Sequence, residues 1–100
     1  MHIPEKGFYY HFKHNPDISI SDHAYEIIGV SKNTEDESAS VVYRPLYTND
    51  WYKDFDFSNR PLSMFIDKKE LNGEMIPRFQ KITDPEIIAK LAEIRNVMYK

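Results

Sequence analysis

The chain has no cysteine and only three glycines among its 100 residues. The first absence excludes disulfides, a thiolate nucleophile and cysteine-ligated zinc. The second nearly excludes a glycine-rich phosphate cradle. Gly7, Gly29 and Gly73 stand far apart, and no Gly-x-Gly-x-x-Gly or Walker-type Gly-Lys-Ser/Thr occurs. Gly-x-Ser-x-Gly and His-Glu-x-x-His are missing as well. Long apolar runs are also lacking. Ile27-Ile28-Gly29-Val30 is far too short to cross a bilayer, and the stretch Met1–Lys6 has no apolar signal-peptide core. Nor is there an excess of positive charge. A net charge of −3 opposes non-specific binding of bulk nucleic acid, which calls for surplus Lys and Arg. These absences predict one domain in the reducing cytoplasm, with no membrane segment, cofactor or metal.

What is present reads as β structure over most of the length. The apolar share is 41% and the aromatic share 14%, enough for a packed core in a chain this size. Gly7–Lys13 (GFYYHFK), Ala24–Ser31 (AYEIIGVS) and Ala39–Tyr47 (ASVVYRPLY) carry the aromatic and β-branched residues of strands. Gly29 predicts a bulge or a close backbone approach, and Pro45 an edge or a bulge. The segment from His14 to Ser21 reads as a loop, and Lys32–Ser38 as a hairpin connection. Thr48–Asn59 mixes Trp51, Tyr52, Phe55 and Phe57 with Asp50, Asp54 and Asp56 and reads as a long folded-back loop. Pro61–Asp67 is expected to be a fourth strand. Asn72-Gly73 marks a turn into a fifth at Met75–Ile82.

From Thr83 the period changes. Ile87, Ile88, Leu91, Ile94, Val97 and Met98 fall on one helical stripe. Thr83-Asp84-Pro85-Glu86 supplies a helix start, with Thr83 at the N-cap. The stripe predicts a helix, residues 83–100, packed on the strand domain of residues 7–82. A homodimer seam or partner face is the alternative use of that stripe.

Three arginines sit beside prolines: Arg44-Pro45, Arg60-Pro61 and Pro77-Arg78. Proline drives the preceding residue into extended backbone, so Arg44 and Arg60 are expected on fixed strands. A planar guanidinium held in that way suits anion recognition or stacking on aromatic rings. His11, Glu35, Tyr43, Arg44, Arg60 and Arg78 are the candidate ligand-binding residues. The competing use of each arginine is structural, its stem packed on aromatics and its charge paired with an acidic loop. His11, His14 and His23 lack zinc-ligand spacing, and Asp50, Asp54 and Asp56 lack the glycine turn and closing glutamate of a calcium loop.

An ordered set of blocks carries a resemblance: Gly7-x-Tyr9-x-His11-Phe12-Lys13, Tyr25-x-Ile27-Ile28-Gly29-Val30, Thr34-Glu35, Val41-Val42-Tyr43-Arg44-x-Leu46-Tyr47, Arg60-Pro61-x-x-Met64-Phe65 and Pro77-Arg78-Phe79. In this order they resemble a bacterial family, domain of unknown function 1653. The resemblance implies a small SH3-like β-roll, a partly open barrel of about five strands, here followed by an amphipathic helix. It implies no reaction. The chain departs from the family pattern at Asn33, Pro45 and Ser58, where the family has His, Ala and Trp, and in the longer stretch from His14 to His23. The expected function is a non-catalytic binding or adaptor module that recognises a protein or a small anionic ligand through its Tyr/Arg surface. The alternative is a small-molecule enzyme, with His11 or Glu35 as base and Arg60 or Arg78 as anion clamp.

Overall fold

Successive residues of a strand face two ways, so the central strands of this chain offer one side to each of two cores. The computed structural model describes residues 3–48 and 56–99. Among these residues lie strands β1 (Gly7–His11), β2 (Ala24–Lys32), β3 (Ala39–Pro45) and β4 (Ser58–Pro61), then a single helical turn α1 (Leu62–Phe65). Strands β5 (Lys68–Leu71), β6 (Glu74–Pro77) and β7 (Phe79–Lys81) follow, and helix α2 (Pro85–Met98) ends the described chain. Five strands form an antiparallel sheet in the order β4-β3-β2-β1-β7 that does not close on itself, while β5 and β6 form a separate hairpin. The molecule is therefore mainly β with a C-terminal helix, as expected, although with seven strands in two sheets.

One sheet face gathers Tyr9, Tyr25, Ile27, Val41, Tyr43 and Phe79, and α1 covers part of it with Leu62 and Phe65. The other face carries Phe8, Ala24, Leu46 and Ile82 and is covered by α2 through Ile87, Ile88, Leu91 and Ile94. Leu91 is fully buried there; burying such a side chain contributes about 2–3 kcal/mol. The apolar stripe of α2 runs past the sheet, since Val97 remains 68% exposed.

Three expectations need correction. The strand expected at Pro61–Asp67 is the end of β4 followed by α1. Leu62 and Phe65, three apart, both turn into the core, which a helical turn permits and a strand does not. The strand expected at Met75–Ile82 is two strands. Pro77 has no N–H to continue the ladder, and at Arg78 the chain leaves β5 for β1. There the Arg78 N–H donates to the Asp67 carbonyl (3.0 Å) and the Arg78 carbonyl accepts from the Phe12 N–H (2.9 Å). The helix cap is Asp84, whose carboxylate accepts the Glu86 N–H at 2.9 Å, with Pro85 opening the first turn.

Three local features follow the sequence. The register between β2 and β3 shifts between Ile27 and Gly29. Asn72 and Gly73 both take positive φ (54° and 83°), the left-handed pair that a tight hairpin requires. Pro45 closes β3 beyond the last residue that β4 pairs, so its missing donor interrupts no ladder. Most of the expected loop at Thr48–Asn59, including Asp50 and Asp54, lies outside the described residues.

Candidate anion-binding site

Cross-strand partners share a face, which decides which candidates can meet. Arg60 lies opposite Val41, two residues from Tyr43, and His11 lies opposite Phe79. His11, Tyr43 and Arg60 therefore share the face away from α2. Arg44 lies opposite Glu26, one residue out of phase, and faces α2.

Arg44 is fully engaged there. Its Nε donates to Glu26 Oε1 at 2.9 Å, and its guanidinium carbon sits 4.1 Å from the centre of the Tyr99 ring. The second Glu26 oxygen accepts from Arg95 Nη1 of α2 at 2.8 Å. A half-buried Arg–Glu–Arg bridge thus ties the sheet to the helix. Glu35 is exposed in the turn joining β2 and β3, where its N–H donates to Asn33 Oδ1. The turn begins beyond Lys32, at the far end of β2 from Tyr25, so Glu35 stands apart from the other candidates.

Arg78 is anchored at the corner between β6 and β7. Its Nε and Nη2 donate to the two oxygens of Asp67 at 2.7 and 2.9 Å, a bidentate fork. The fork holds the Asp67 carboxyl below its usual range against the opposing effect of burial, and the same bonds raise the Arg78 pKa.

Arg60 differs. Its guanidinium carbon lies 5.3 Å from the centre of the Phe79 ring, a cation–π contact. Its Nε is enclosed and has no hydrogen-bond partner. Among the described residues it forms no ion pair, whereas Arg44, Arg78 and Arg95 each hold a carboxylate.

His11 completes this end of the face. Its ring meets the edge of Phe79 at 5.1 Å between centres and lies 5.7 Å from His23, which in turn lies 5.4 Å from Tyr47. The Lys13 N–H donates to His11 Nδ1 at 3.1 Å, so the proton of the neutral ring sits on Nε2. Burial first, then the charges of His23, Arg60, Arg78 and Lys13, push the His11 pKa down to about 4. At neutral pH His11 is therefore an uncharged N–H donor beside an unpaired cation.

His23 belongs to the same cluster. It adopts a left-handed backbone (φ 49°), a conformation that costs a non-glycine residue free energy and concentrates at functional sites. Its Nδ1 stands 3.0 Å from Asp22 Oδ2 without hydrogen-bond alignment. Burial raises the Asp22 pKa, but His23 and the Asn15 N–H outweigh it and hold the acid below its usual range. His14 is elsewhere, its ring stacked on Tyr10 at 3.6 Å. No group of three metal-ligating side chains occurs among the described residues.

The structure thus brings together His11, Tyr43 and Arg60, with Arg78 braced beside them. It sets Arg44 on the opposite face and Glu35 at a hairpin tip. The sequence reading passed over Phe79 as a platform, Asp67 as the partner of Arg78, and the row of rings from His11 through His23 to Tyr47. The adjacent Tyr43 and Arg44 could have been separated beforehand by strand alternation alone.

No curated protein matches the chain. A solved structure of a DUF1653 protein from Bordetella bronchiseptica is similar, with a TM-score of 0.60 and 23% identity over 81% of this chain and 94% of that one. At that identity the likeness speaks for the fold alone. The profile of a protein family of unknown function, DUF1653, matches residues 7–81, from β1 through β7, and ends before α2. The chain belongs to the DUF1653 family.

Proposed function

We propose that the protein is a non-catalytic binding module that takes an anionic group, of a small molecule or of a protein, at Arg60 on the sheet face opposite α2. The observation that carries this reading is the state of Arg60: a guanidinium on an aromatic ring, with an enclosed Nε–H that nothing accepts. An unmet donor on a buried group costs about 1–3 kcal/mol, and more when the group is charged. An anion at the outer edge of the guanidinium would offset its charge, and His11 Nε2–H would add a neutral donor beside it. Binding is favoured over catalysis because the groups a reaction would need are engaged or distant. Arg78 is filled by Asp67, His11 Nδ1 accepts the Lys13 N–H, and Glu35 sits at a hairpin tip.

The test is a thermal-shift and calorimetric screen of benzoate, phenyl phosphate and short oligonucleotides. A bound anion raises the melting temperature of the wild type, and Arg60→Gln removes that rise without unfolding the protein. A wild type indifferent to every anion, or an Arg60→Gln variant that binds as well, would overturn the reading.

A further inference from the structure

We propose that the open edge of β7 takes an extended peptide as a sixth strand, which seats an apolar side chain in the adjoining cavity and an acidic one beside Lys68 and Lys81. This surface is distinct from the Arg60 site, since neither Arg60 nor His11 lines the cavity.

The backbone says what the occupant must be. β7 ends the sheet, with β1 on one side and no strand on the other among the described residues. The Phe12 N–H donates to the Arg78 carbonyl and the Ile82 N–H to the Phe8 carbonyl, both at 2.9 Å, with Gln80 opposite Tyr10 between them. In an antiparallel ladder such residues turn both backbone groups toward the partner strand, and the residues between them turn both away. Phe79 and Lys81 therefore aim their N–H and C=O groups out of the sheet edge. None of these four groups has a hydrogen-bond partner among the described residues. Gln80 and Lys81 are exposed, and Phe79, though its ring is buried, lines the cavity at this edge. Donors and acceptors at every second residue match an added strand. At the opposite edge β4 ends on Pro61, which has no N–H to offer, whereas β7 contains neither proline nor bulge.

The side-chain pocket lies next to these groups. A cavity of about 320 Å³ is lined by the buried rings of Tyr9, Phe65 and Phe79 and by Lys68 and Pro77 of the β5–β6 hairpin. Ile66 lines it too and stays 39% exposed, apolar surface that a peptide side chain would cover. Cross-strand partners share a face, so Tyr9, Phe79 and Lys81 all lie on the cavity side of the sheet. Peptide residues set opposite Phe79 and Lys81 would point the same way.

Charge selects an acidic partner. Lys68 forms no ion pair among the described residues. Lys81 reaches Glu5 at 3.5 Å, and that glutamate is itself 73% exposed, so the contact is weak and yields readily. A lysine on an edge strand repels another edge of its own kind and attracts a strand that carries an acid. A second copy of β7 would add its own Lys81 to an edge that already holds two lysines. The occupant that fits is an acidic peptide.

The experiment follows the backbone amides of the intact protein by NMR. The probe is acetyl-Thr-Glu-Thr-Leu-Thr-amide, in which antiparallel pairing sets Glu opposite Lys81 and Leu opposite Phe79. It should shift the Phe79 and Lys81 amide signals saturably and slow their hydrogen exchange, while Gln80, already bonded to β1, changes little. Methylating the peptide nitrogens of Glu and Leu removes the donors that face β7 and should weaken binding about tenfold, as the loss of two hydrogen bonds implies. Methylation at the central Thr, whose N–H points away, should be tolerated. A probe with Lys in place of Glu should bind about fivefold more weakly, and Lys68→Glu should reverse that preference. Lys90→Glu, the same charge change on the exposed side of α2, should leave it in place. Absence of any saturable shift overturns the inference, and so does equal binding of the probe methylated at Glu and Leu. Octanoate binding more tightly than the peptide overturns it in favour of a small-molecule pocket. Amide shifts that follow protein concentration without peptide overturn it in favour of a second copy of the chain.

Discussion

The two faces of the five-stranded sheet treat arginine in opposite ways. On the helix side Glu26 is shared by Arg44 and Arg95, at 2.9 and 2.8 Å, and the Tyr99 ring lies against Arg44. Two guanidinium groups share one carboxylate there, and the cluster joins a strand to a helix. On the other side Arg78 is closed by Asp67, but among the described residues Arg60 meets the Phe79 ring and no carboxylate. The contrast separates bracing from readiness. A guanidinium that holds the fold together here has a carboxylate to hold, and one without a carboxylate among the described residues is expected to contribute less to folding.

The most direct way to break the comparison is to remove the shared acid. Glu26→Ala should strand two half-buried guanidinium groups and destabilise the protein by about 2–3 kcal/mol, somewhat below the range for broken buried pairs because Arg95 is partly exposed. Urea denaturation at neutral pH measures it. A loss under about 0.5 kcal/mol would mean that the helix face is held by apolar packing alone and that its ion pairs are surface ornaments.

Next comes the braced arginine on the open face. Arg78→Ala should cost about 1–2 kcal/mol, less than a fully buried charge-assisted pair because water reaches Asp67. The cost has a pH signature. The folded Asp67 carboxyl lies below its unfolded value near 3.8, so the pair's contribution is present above that pH and fades as pH falls through the folded value. The wild type and Arg78→Ala should therefore converge in acid. A gap that persists unchanged at low pH would show that the arginine stem, not the ion pair, carries the effect.

His11 gives a smaller and separate acid effect. Its folded pKa is about 4 against an ordinary value of 6.5, so between those limits the unfolded chain binds more protons. Stability is fully present above the unfolded value and falls as pH drops from there toward the folded one. Screening by solvent at this half-buried ring holds the loss to the order of 1 kcal/mol. His11→Phe should flatten the stability profile in that window, and NMR titration of the ring gives the folded pKa directly. A ring that titrates near its ordinary value would show that burial and the neighbouring charges do not act on His11 in this way.

Much of the sheet was legible in the sequence, and the reasons are local. The aromatic and β-branched residues of GFYYHFK and AYEIIGVS mark strands, Asn72-Gly73 supplies the left-handed pair of its turn, and the stripe from Ile87 to Ile94 marks a helix that buries it. The failures are tertiary. Whether Leu62–Phe65 coils or extends depends on the core that receives Leu62 and Phe65, which the strands from elsewhere in the chain build. Pro77 punctuates the chain but does not say that the strand will change partners there. The candidate site was half legible. Alternation separates Arg44 from Tyr43, whereas the meeting of Arg60 with Phe79 and His11 requires the whole strand order β4-β3-β2-β1-β7. No short-range pattern announces that Asp67 will fill Arg78 and leave Arg60 open.

The smallest expected change in stability is the one that sharpens the comparison most. Arg60→Met keeps the aliphatic stem out to about the position of Nε while deleting the enclosed donor, the charge and the guanidinium on Phe79. Since nothing accepts that donor, its removal relieves a desolvation penalty and takes away only a cation–π contact worth about 0.5–1 kcal/mol. The two effects nearly cancel, so urea denaturation should place Arg60→Met within about 0.5 kcal/mol of the wild type. Arg78→Met, with a side chain of the same size, should lose stability as Arg78→Ala does. Equal losses in both variants would make Arg60 one more brace. A stable Arg60→Met beside a weakened Arg78→Met would make them different devices on one surface, one closing a corner of the chain and the other holding a charge for a partner.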